Sequence, residues 1–559
     1  MKKSSSKFIL HSLIDKILLL TILMGILIFV LYPIISVVST SFFDKGQLTL
    51  KFYKDLISQR NFQLIKNSLW VASLSSVFTT ILSFCIALYA FVAKKQLRNF
   101  IRSTLMLTMI SPPFVSALAL IMLFGRRGLI TYGIFNLSVN PYGWQGIVIL
   151  QTIGSMSLAS IMLISTLDTI DTRQILASRD LGATPLQTLR NIVIPAAWPG
   201  IMSVLFILFT MNLADFGTPI VIGGRFSVLA TEAYIQVLSA SSLGKAATLS
   251  MLMIPPAVIA FYFYRKNMSS SNNFSDGSKS LSSSGYKYDL PKWIRGILLC
   301  VVISFFAVMA LKYGNIFLST ISNTSTGEIQ FTTKNITNIP SSQMKSFWQT
   351  VIYSIIAGVL ASFFGVLLSY YTHRREIKGM KIIEFIASLP YIIPGTFFGL
   401  GYVAAFSHGP ILIRGTSAII VLNYTFRQIS VANKSANATF STIDKKIEAA
   451  SQDLGASKVQ TLFRIILPLL KPTFLTCFIT TFTASMTAVG AIVFLTSPGK
   501  NVASVELLQS IENGRYGIAS VQAVMIIIVT VTVNIIAMYI LERSKKDNES
   551  MEIISDIER

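Results

Sequence analysis

Residues 177–195 read ASRDLGATPLQTLRNIVIP, and residues 450–468 read ASQDLGASKVQTLFRIILP. Eleven of the nineteen positions are identical, and the two copies begin 273 residues apart. Both copies are polar and lie between strongly apolar segments. A polar motif that recurs with unchanged internal spacing indicates a surface that two copies of a partner bind. The chain therefore reads as a fused pair of similar membrane half-subunits.

The composition places the chain in the membrane. Of its 559 residues, 52% are hydrophobic and only 13% are charged, with a mean hydropathy of +0.64. A soluble protein carries about 25% charged residues. The apolar runs approach or exceed the roughly 20 residues that a helix needs to cross a bilayer. They are continuous, whereas a β-barrel alternates in polarity over about ten residues. We predict an all-α polytopic membrane protein in contact with the lipid bilayer.

Twelve membrane spans are predicted, with both termini in the cytoplasm. The net charge of +23 fits basic cytoplasmic loops, since such loops collect Lys and Arg, and it does not indicate a nucleic-acid partner. Two basic clusters, at residues 94–102 and 374–381, fall on the cytoplasmic side in this arrangement. The predicted spans are residues 14–39, 66–93, 100–124, 143–166, 196–216, 246–265, 292–312, 348–371, 380–406, 411–431, 471–494 and 518–541.

The repeat divides the chain into two halves of six spans each. Pro199, Gly217 and Gly244 recur as Pro472, Gly490 and Gly517 at the same offset of 273. Equal orientation of the halves predicts a parallel repeat about an axis normal to the membrane. Between the halves, a stretch rich in Ser is typical of a flexible linker. The predicted domains are a first half at 1–266 with its loop at 174–195, a linker at 267–290, a second half at 291–546 with its loop at 447–468, and a cytoplasmic tail at 547–559.

Local chemistry predicts a helix, a sharp turn and a second helix in each loop. Gly182 and Gly455 suit the left-handed residue that ends a helix. Thr184 and Ser457 suit the N-cap of the next helix, and Pro185 suits its first position. We expect Pro195 and Pro468 to stop or kink the chain where it re-enters the membrane. The candidate contact residues of the two loops are Ser178, Asp180, Gly182, Ala183, Pro195, Ser451, Asp453, Gly455, Ala456 and Pro468.

This pattern resembles the "EAA" loop of permease subunits of ATP-binding-cassette importers. The Glu that gives the motif its name is replaced by Leu176 and Ala449, with Glu448 one residue early. The resemblance implies a type I importer fold, with two tandem six-helix halves in the bacterial inner or plasma membrane. It also implies a cytoplasmic ATPase dimer that grips both loops and an extracytoplasmic solute-binding protein. The sequence contains no phosphate-binding Gly-x-x-x-x-Gly-Lys-(Ser/Thr) motif, so we expect a non-enzymatic transport subunit whose ATPase is a separate chain.

Asp215 and several prolines are candidates for the substrate pathway or a gate. Asp215 lies at the outer end of the fifth span, and the matching position of the second half is Ala488. An ionisable residue at membrane depth marks a functional site by default, although Asp215 alternatively caps a broken helix. Prolines in the third span of each half mark either a gate or a tolerated kink. These prolines are Pro112, Pro113, Pro390 and Pro394.

The region around Asp215 and the fused layout together look like ferric-iron permeases. Fused permeases for thiamine and related permeases for 2-aminoethylphosphonate or polyamines share much of this pattern. The three cysteines and three histidines show no metal-ligand spacing, so no metal or cofactor is expected in this chain. A major-facilitator-type secondary transporter is a more remote alternative. That class also has twelve spans in two halves. It needs charged residues within the spans for ion coupling, whereas the predicted spans here contain very few, and it does not need two docking loops.

Overall fold

Helices make up most of the residues that the structure describes. The computed structural model describes residues 2–44, 47–56, 59–109, 113–125, 128–137, 140–238, 242–273, 289–323, 329–407 and 410–557. In these ranges, nine helices are long and apolar enough to cross a membrane, and two bent helix pairs raise the number to eleven. The multi-pass helical architecture predicted from the sequence is confirmed.

The first fourteen helices begin before the predicted linker. They are α1 Lys2–Ile26, α2 Tyr32–Phe42, α3 Lys51–Leu56, α4 Gln59–Val92, α5 Lys95–Thr108, α6 Pro113–Phe124, α7 Trp144–Asp168, α8 Thr172–Asp180, α9 Pro185–Thr188, α10 Ile194–Ala214, α11 Gly217–Ile222, α12 Leu229–Leu238, α13 Leu243–Leu252 and α14 Ile254–Asn273.

Twelve further helices follow the linker. They are α15 Lys292–Thr320, α16 Lys334–Thr337, α17 Ser341–Ser369, α18 Met380–Ile392, α19 Gly395–Ser407, α20 Ser417–Phe440, α21 Lys446–Asp453, α22 Lys458–Thr461, α23 Leu467–Leu469, α24 Lys471–Met486, α25 Ala503–Glu512 and α26 Tyr516–Ile557.

The described residues also include two small β-hairpins, several π-helical turns and one 3₁₀ turn. Strands β1 (Phe43–Asp44) and β2 (Gln47–Leu48) pair antiparallel, as do β3 (Ser322–Asn323) and β4 (Gln330–Phe331). Each hairpin follows the first membrane helix of its half, so the repeat extends to these loops. Single π-helical turns lie at Leu27–Leu31, Leu129–Ile134, Leu189–Val193, Tyr370–Arg374 and Leu462–Ile466, and a 3₁₀ turn lies at Ile492–Phe494.

The chain forms two compact units, and neither coincides with one half of the sequence. Unit 1 contains residues 1–40, 341–506 and 528–559. Within unit 1, the Phe29 ring stacks on Phe426 at 5.1 Å between centroids, and the Tyr402 hydroxyl donates to the Phe29 carbonyl at 2.8 Å. The first helical segment thus packs with helices of the second half. The two halves are therefore defined by the sequence repeat, and they differ from the two compact units of the structure.

Unit 2 contains residues 41–340 and 507–527. Within it, α15 packs against helices of the first half. Leu298, Val302 and Phe305 of α15 share a buried apolar cluster with Ile86 of α4 and Leu163 of α7. Lipid tails are as apolar as these side chains, so van der Waals packing, and not transfer out of water, holds α15 against α4 and α7.

Several predicted elements differ from the structure, among them span 380–406, which divides into α18 and α19. Predicted span 100–124 divides into α5 and α6, with residues 110–112 outside the described ranges. Predicted span 411–431 is the helix α20, which begins and ends further along the chain and is too polar to count among the nine candidates. Helix α14 continues to Asn273, past the predicted start of the linker at 267, and residues 274–288 of that linker lie outside the described ranges.

Candidate functional site: the two repeated loops

The first loop turns at Gly182. Helix α8 begins at Thr172, where the Asp171 carboxylate caps it by accepting from the Arg173 amide at 2.9 Å. After α8, Gly182 has a φ of +82°, and the Ala183 amide donates to the Ser178 carbonyl at 3.1 Å. Glycine adopts this left-handed conformation without the steric cost that a Cβ imposes. The glycine therefore reverses the chain directly after the helix.

The second loop repeats this turn in detail. Helix α21 is followed by Gly455 with a φ of +88°, and the Ala456 amide donates to the Ser451 carbonyl at 3.1 Å. Gly182 and Gly455 also donate to the carbonyls three residues before them, Arg179 and Gln452, at 2.9 Å in both cases. The shared spacing of the two motifs thus specifies one backbone geometry in both loops.

The helix that follows each turn starts with a capping box. The Thr184 hydroxyl accepts from the Gln187 amide, while the Gln187 side chain accepts from the Thr184 amide. Ser457 and Gln460 make the same reciprocal pair in the second loop. Each box satisfies two amides that a helix start leaves without partners. The N-caps predicted at Thr184 and Ser457 are confirmed.

A hydroxyl pair fastens the two helices of each loop together. Ser178 Oγ lies 3.0 Å from Thr188 Oγ1, and Ser451 Oγ lies 3.0 Å from Thr461 Oγ1. Thr188 and Thr461 are both buried, with exposed fractions of 0% and 1%. The sequence analysis singled out the two serines but not the threonines, although both threonines are identical between the copies. The pair fixes the angle at which α8 meets α9 and α21 meets α22.

The tip of each loop presents a leucine. Leu181 is 87% exposed and Leu454 is 90% exposed, and the adjacent Gly182 and Gly455 are exposed as well. Large apolar side chains held out from a rigid turn are typical of a surface that another protein covers. These two leucines were not among the predicted contact residues. A leucine at the same position in both copies of the motif was the sequence feature that pointed to them as contact residues.

The other predicted residues of the loops have distinct surroundings. Asp180 and Asp453 are exposed, and neither takes part in an ion pair within the described ranges. Pro195 is exposed at the start of α10, and this helix continues without interruption to Ala214. The predicted stop or kink at Pro195 is wrong: the helical segment runs unbroken from Pro185 to Ala214, and the π-helical turn Leu189–Val193 just before Pro195 already shifts the backbone hydrogen bonds there.

Pro468 lies where the chain does bend. It is exposed in α23, and the segment Lys458–Leu469 meets Lys471–Met486 at 70°. The two copies of the loop therefore agree through their capping boxes and π-helical turns and differ in how they rejoin the membrane helices.

The displaced glutamate of the second loop is held by its own chain. Glu448 forms an ion pair with Arg374, whose side chain is 4% exposed. Arg374 also donates through Nη1 to the carbonyls of Ile443, at 2.8 Å, and Phe440, at 3.3 Å. Arg374 thus clamps the segment between α20 and α21. In the first loop, Arg179 instead donates to the Ala183 carbonyl at 2.6 Å and braces the turn itself.

Asp215 lies in a polar network of unit 2. Its Oδ1 accepts from the Thr218 amide at 3.2 Å, and its Oδ2 accepts from Gln151 Nε2 at 3.1 Å. Gln151 also accepts from the Ser75 hydroxyl at 2.8 Å. Asp215 lies between α10 and α11, and each of its carboxylate oxygens accepts a hydrogen bond, one from α11 and one from α7. This arrangement favours a capping role over direct contact with substrate.

The predicted prolines mark broken helices. Pro390 is buried within α18, and Pro394 separates α18 from α19, where the two helices meet at 114°. Pro113 is the first residue of α6, and Pro112 lies outside the described ranges. Within the described residues, no group of three or more His, Cys, Asp or Glu side chains has a geometry that suits a metal ion.

The two matched loops lie within a recognised domain. A family model described as "Binding-protein-dependent transport system inner membrane component" matches residues 80–267 and again residues 361–547. Each match contains one loop. The chain belongs to this family. It is a fused permease of the ATP-binding-cassette importer class, with both family domains in one polypeptide.

Two relatives align with most of both halves of the chain, and a third aligns with about one third of it. The ferric transport system permease protein FbpB of Actinobacillus pleuropneumoniae is 28% identical over 540 residues, which cover 94% of the permease and 77% of the relative. A putative ferric transport system permease protein, FbpB 1 of Haemophilus influenzae, is 30% identical over 520 residues, covering 89% and 79%. A putative 2-aminoethylphosphonate transport system permease protein, PhnV of Salmonella typhimurium, is 31% identical over 204 residues, covering 36% and 75%.

Proposed function

We propose that this permease is the membrane-spanning subunit of an ATP-driven, binding-protein-dependent importer for ferric iron. The observation that carries the proposal is the pair of loops with identical turns and exposed leucine tips. A separate ATPase dimer would bind both tips on the cytoplasmic side. A solute-binding protein would deliver the substrate at the outer face.

The loops are suited to transmit a movement. Each has a capping box, a hydroxyl pair and a left-handed glycine, so the tip cannot swing independently of the helices behind it. The short helices α9 and α22 each continue through a π-helical turn into the following membrane segment. A displacement of either tip by an ATPase subunit would therefore reach α10 or α24. We expect the exposed carboxylates of Asp180 and Asp453 to pair with basic residues of the ATPase.

Iron is proposed as the substrate because two ferric permeases align with most of the chain. The same class of importer with 2-aminoethylphosphonate as substrate is the second candidate, supported by the similarity of one third of the chain to PhnV. Thiamine and polyamines remain alternatives of the same class. A secondary transporter is disfavoured by the family match and by the two docking loops.

Uptake into reconstituted vesicles tests the proposal. The vesicles contain the permease and its ATPase, and the binding protein is added outside with labelled ferric iron. We expect uptake that needs both ATP and the binding protein. Hydrolysis of ATP without iron uptake, with uptake of labelled 2-aminoethylphosphonate instead, would transfer the proposal to the second candidate. Transport driven by an ion gradient without the ATPase would refute it.

A further inference from the structure

A buried polar cluster lies inside unit 1, away from the loops. Arg427 is in the middle of α20 and faces the start of α19. A Cβ atom added to Gly395, the first residue of α19, would lie 2.6 Å from Arg427 Nη2 and 3.0 Å from its Cζ. Glycine at this position thus leaves the space that the guanidinium occupies. Helix α19 has thirteen residues, and the start of a helix leaves up to four amides without partners inside the helix.

Arg427 is partly exposed, and its guanidinium has no carboxylate partner among the residues that the structure describes. None of the ion pairs within the described ranges includes Arg427. A charged side chain at membrane depth is costly unless it is paired, and such residues mark functional sites by default. The absence of a carboxylate therefore needs a physical reason.

Three neighbouring polar side chains also lack partners. Asn423 is 0% exposed, Thr396 is 1% exposed and Tyr424 is 3% exposed. In the part of the chain that the structure describes, no hydrogen-bond partner is found for the Tyr424 hydroxyl, the Thr396 hydroxyl or either amide atom of Asn423. Tyr424 lies close enough to Arg427 to interact with its charge, Thr396 follows Gly395, and Asn423 lies one turn from Arg427 on the same helix face. A buried polar group without a partner costs about 1–3 kcal/mol, so these three side chains retain hydrogen-bonding capacity that a ligand can satisfy.

The chemistry of the cluster selects an anion. The guanidinium, the two hydroxyls, the amide nitrogen of Asn423 and the first amides of α19 are all donors, and the positive end of a helix dipole adds to them. No carboxylate contributes. A bare ferric ion would be repelled by this set of groups. Arginine binds carboxylate, phosphate and phosphonate oxygens through its planar fork.

We propose that Arg427, Tyr424, Thr396, Asn423 and the start of α19 form a binding site for a small oxyanion in the transport pathway. The anion travels alone or as a ligand of a ferric ion, and the site's place in transport rests on the proposed importer function. The site is absent from the first half. At the offset of 273, Gly154 occupies the position of Arg427, and Leu150 that of Asn423. The repeat therefore carries one oxyanion site, in the second half alone.

Equilibrium dialysis of the purified full-length permease tests the site. The probes are inorganic phosphate, citrate and ferric citrate, each radiolabelled. We expect saturable binding of at least one probe. Binding of phosphate or citrate without iron identifies a free oxyanion as the ligand, and binding of ferric citrate alone identifies the chelated ion. Absence of saturable binding for all three probes would overturn the proposal.

Two variants distinguish a ligand site from a structural cluster. Tyr424→Phe removes only a hydroxyl that has no partner in the empty protein, so the thermal midpoint without anion is expected to stay constant or rise. Affinity for the anion is expected to fall about tenfold or less, whereas Arg427→Gln removes charge-assisted hydrogen bonds and lowers affinity about tenfold or more. Arg414→Gln, at an exposed arginine of the same unit, is the matched control and should retain affinity.

A third variant covers the case in which Arg427→Gln does not fold. Gly395→Ala keeps the arginine but places a Cβ against its guanidinium, so anion affinity is expected to fall while the charge remains. Unchanged affinity in Tyr424→Phe and Gly395→Ala would overturn the site. The importer proposal fails separately: uptake that requires ATP and the binding protein, in a permease that binds none of the probes, would sustain the importer and refute the site.

Discussion

The exposed leucine tips predict that association with the ATPase can be lost without loss of folding. Leu181 and Leu454 are 87% and 90% exposed, so the isolated permease gains little stability from either side chain. On docking, each tip would lose its contact with water. Replacing leucine by alanine removes roughly three carbon groups at about 0.8 kcal/mol each, or about 2 kcal/mol per tip. The double variant should then lose about 4 kcal/mol, which is on the order of a thousandfold in Kd.

Two measurements check this expectation. The first is the Kd for the purified ATPase, measured for the permease, for Leu181→Ala, for Leu454→Ala and for the double variant. The second is the thermal midpoint of each permease alone, which should not change. Leu412→Ala is the matched control because Leu412 is 70% exposed but lies outside both loops. If the double variant binds the ATPase as tightly as Leu412→Ala does, the leucine tips are not the docking surface.

Three further predictions concern the loops and the helices behind them. Gly182→Ala and Gly455→Ala should each lower the free energy of unfolding by about 1 kcal/mol, because both φ angles are left-handed although a Cβ would meet nothing within 4 Å. Asn at either position should lower it less, since Asn adopts the left-handed conformation more readily. Equal thermal midpoints for the Ala and Asn variants would contradict this expectation. Asp15→Asn should cost about 2 kcal/mol, because its carboxylate receives two hydrogen bonds from Arg375 at 2.8 and 2.7 Å in a site less than one-fifth exposed. The control Glu376→Gln should leave the thermal midpoint near neutral pH unchanged, because the ion pair of Glu376 with Lys445 is about two-thirds exposed. The hydrogen bond and charge of Lys445 lower the pKa of the Glu376 carboxyl. Any small contribution of this pair to stability is therefore present near neutral pH and is lost as the pH falls through the lowered pKa. Asp215→Asn should lower stability by about 1 kcal/mol through the weakened cap while uptake per folded molecule is retained, and a selective loss of uptake would instead place Asp215 in the pathway.

The turns of the loops were predictable because their causes are local. A glycine after a polar helix and a Thr or Ser three residues before Gln determine the backbone over a few residues, and both copies follow these rules. Pro195 shows the limit of such reasoning, since the helix continues through this proline after a π-helical turn that the sequence did not predict. The exposure of Leu181 and Leu454 depends on the direction in which the turn points, which the sequence does not state.

Arg427 was overlooked for a different reason. Within the sequence it is one charge in a moderately apolar run. Its significance depends on the 114° bend between α18 and α19, which brings the start of α19 to the guanidinium. Contacts of this kind join residues on separate helices, and no short motif encodes them. The packing of α1 and α2 with helices more than 300 residues away in the sequence was unpredictable for the same reason.

Each of the two units contains segments that are far apart in the sequence, and this limits when each unit can fold during synthesis. A chain emerges from the ribosome at about 5–20 residues per second. The segment at residues 1–40 belongs to a unit whose other members begin at residue 341 and continue past residue 500, so it waits on the order of a minute for them. The unit that contains most of the first half likewise waits for residues 507–527. Neither unit can be completed before nearly the whole chain has been translated, and the newborn helices must be kept apart from wrong neighbours in the bilayer until then.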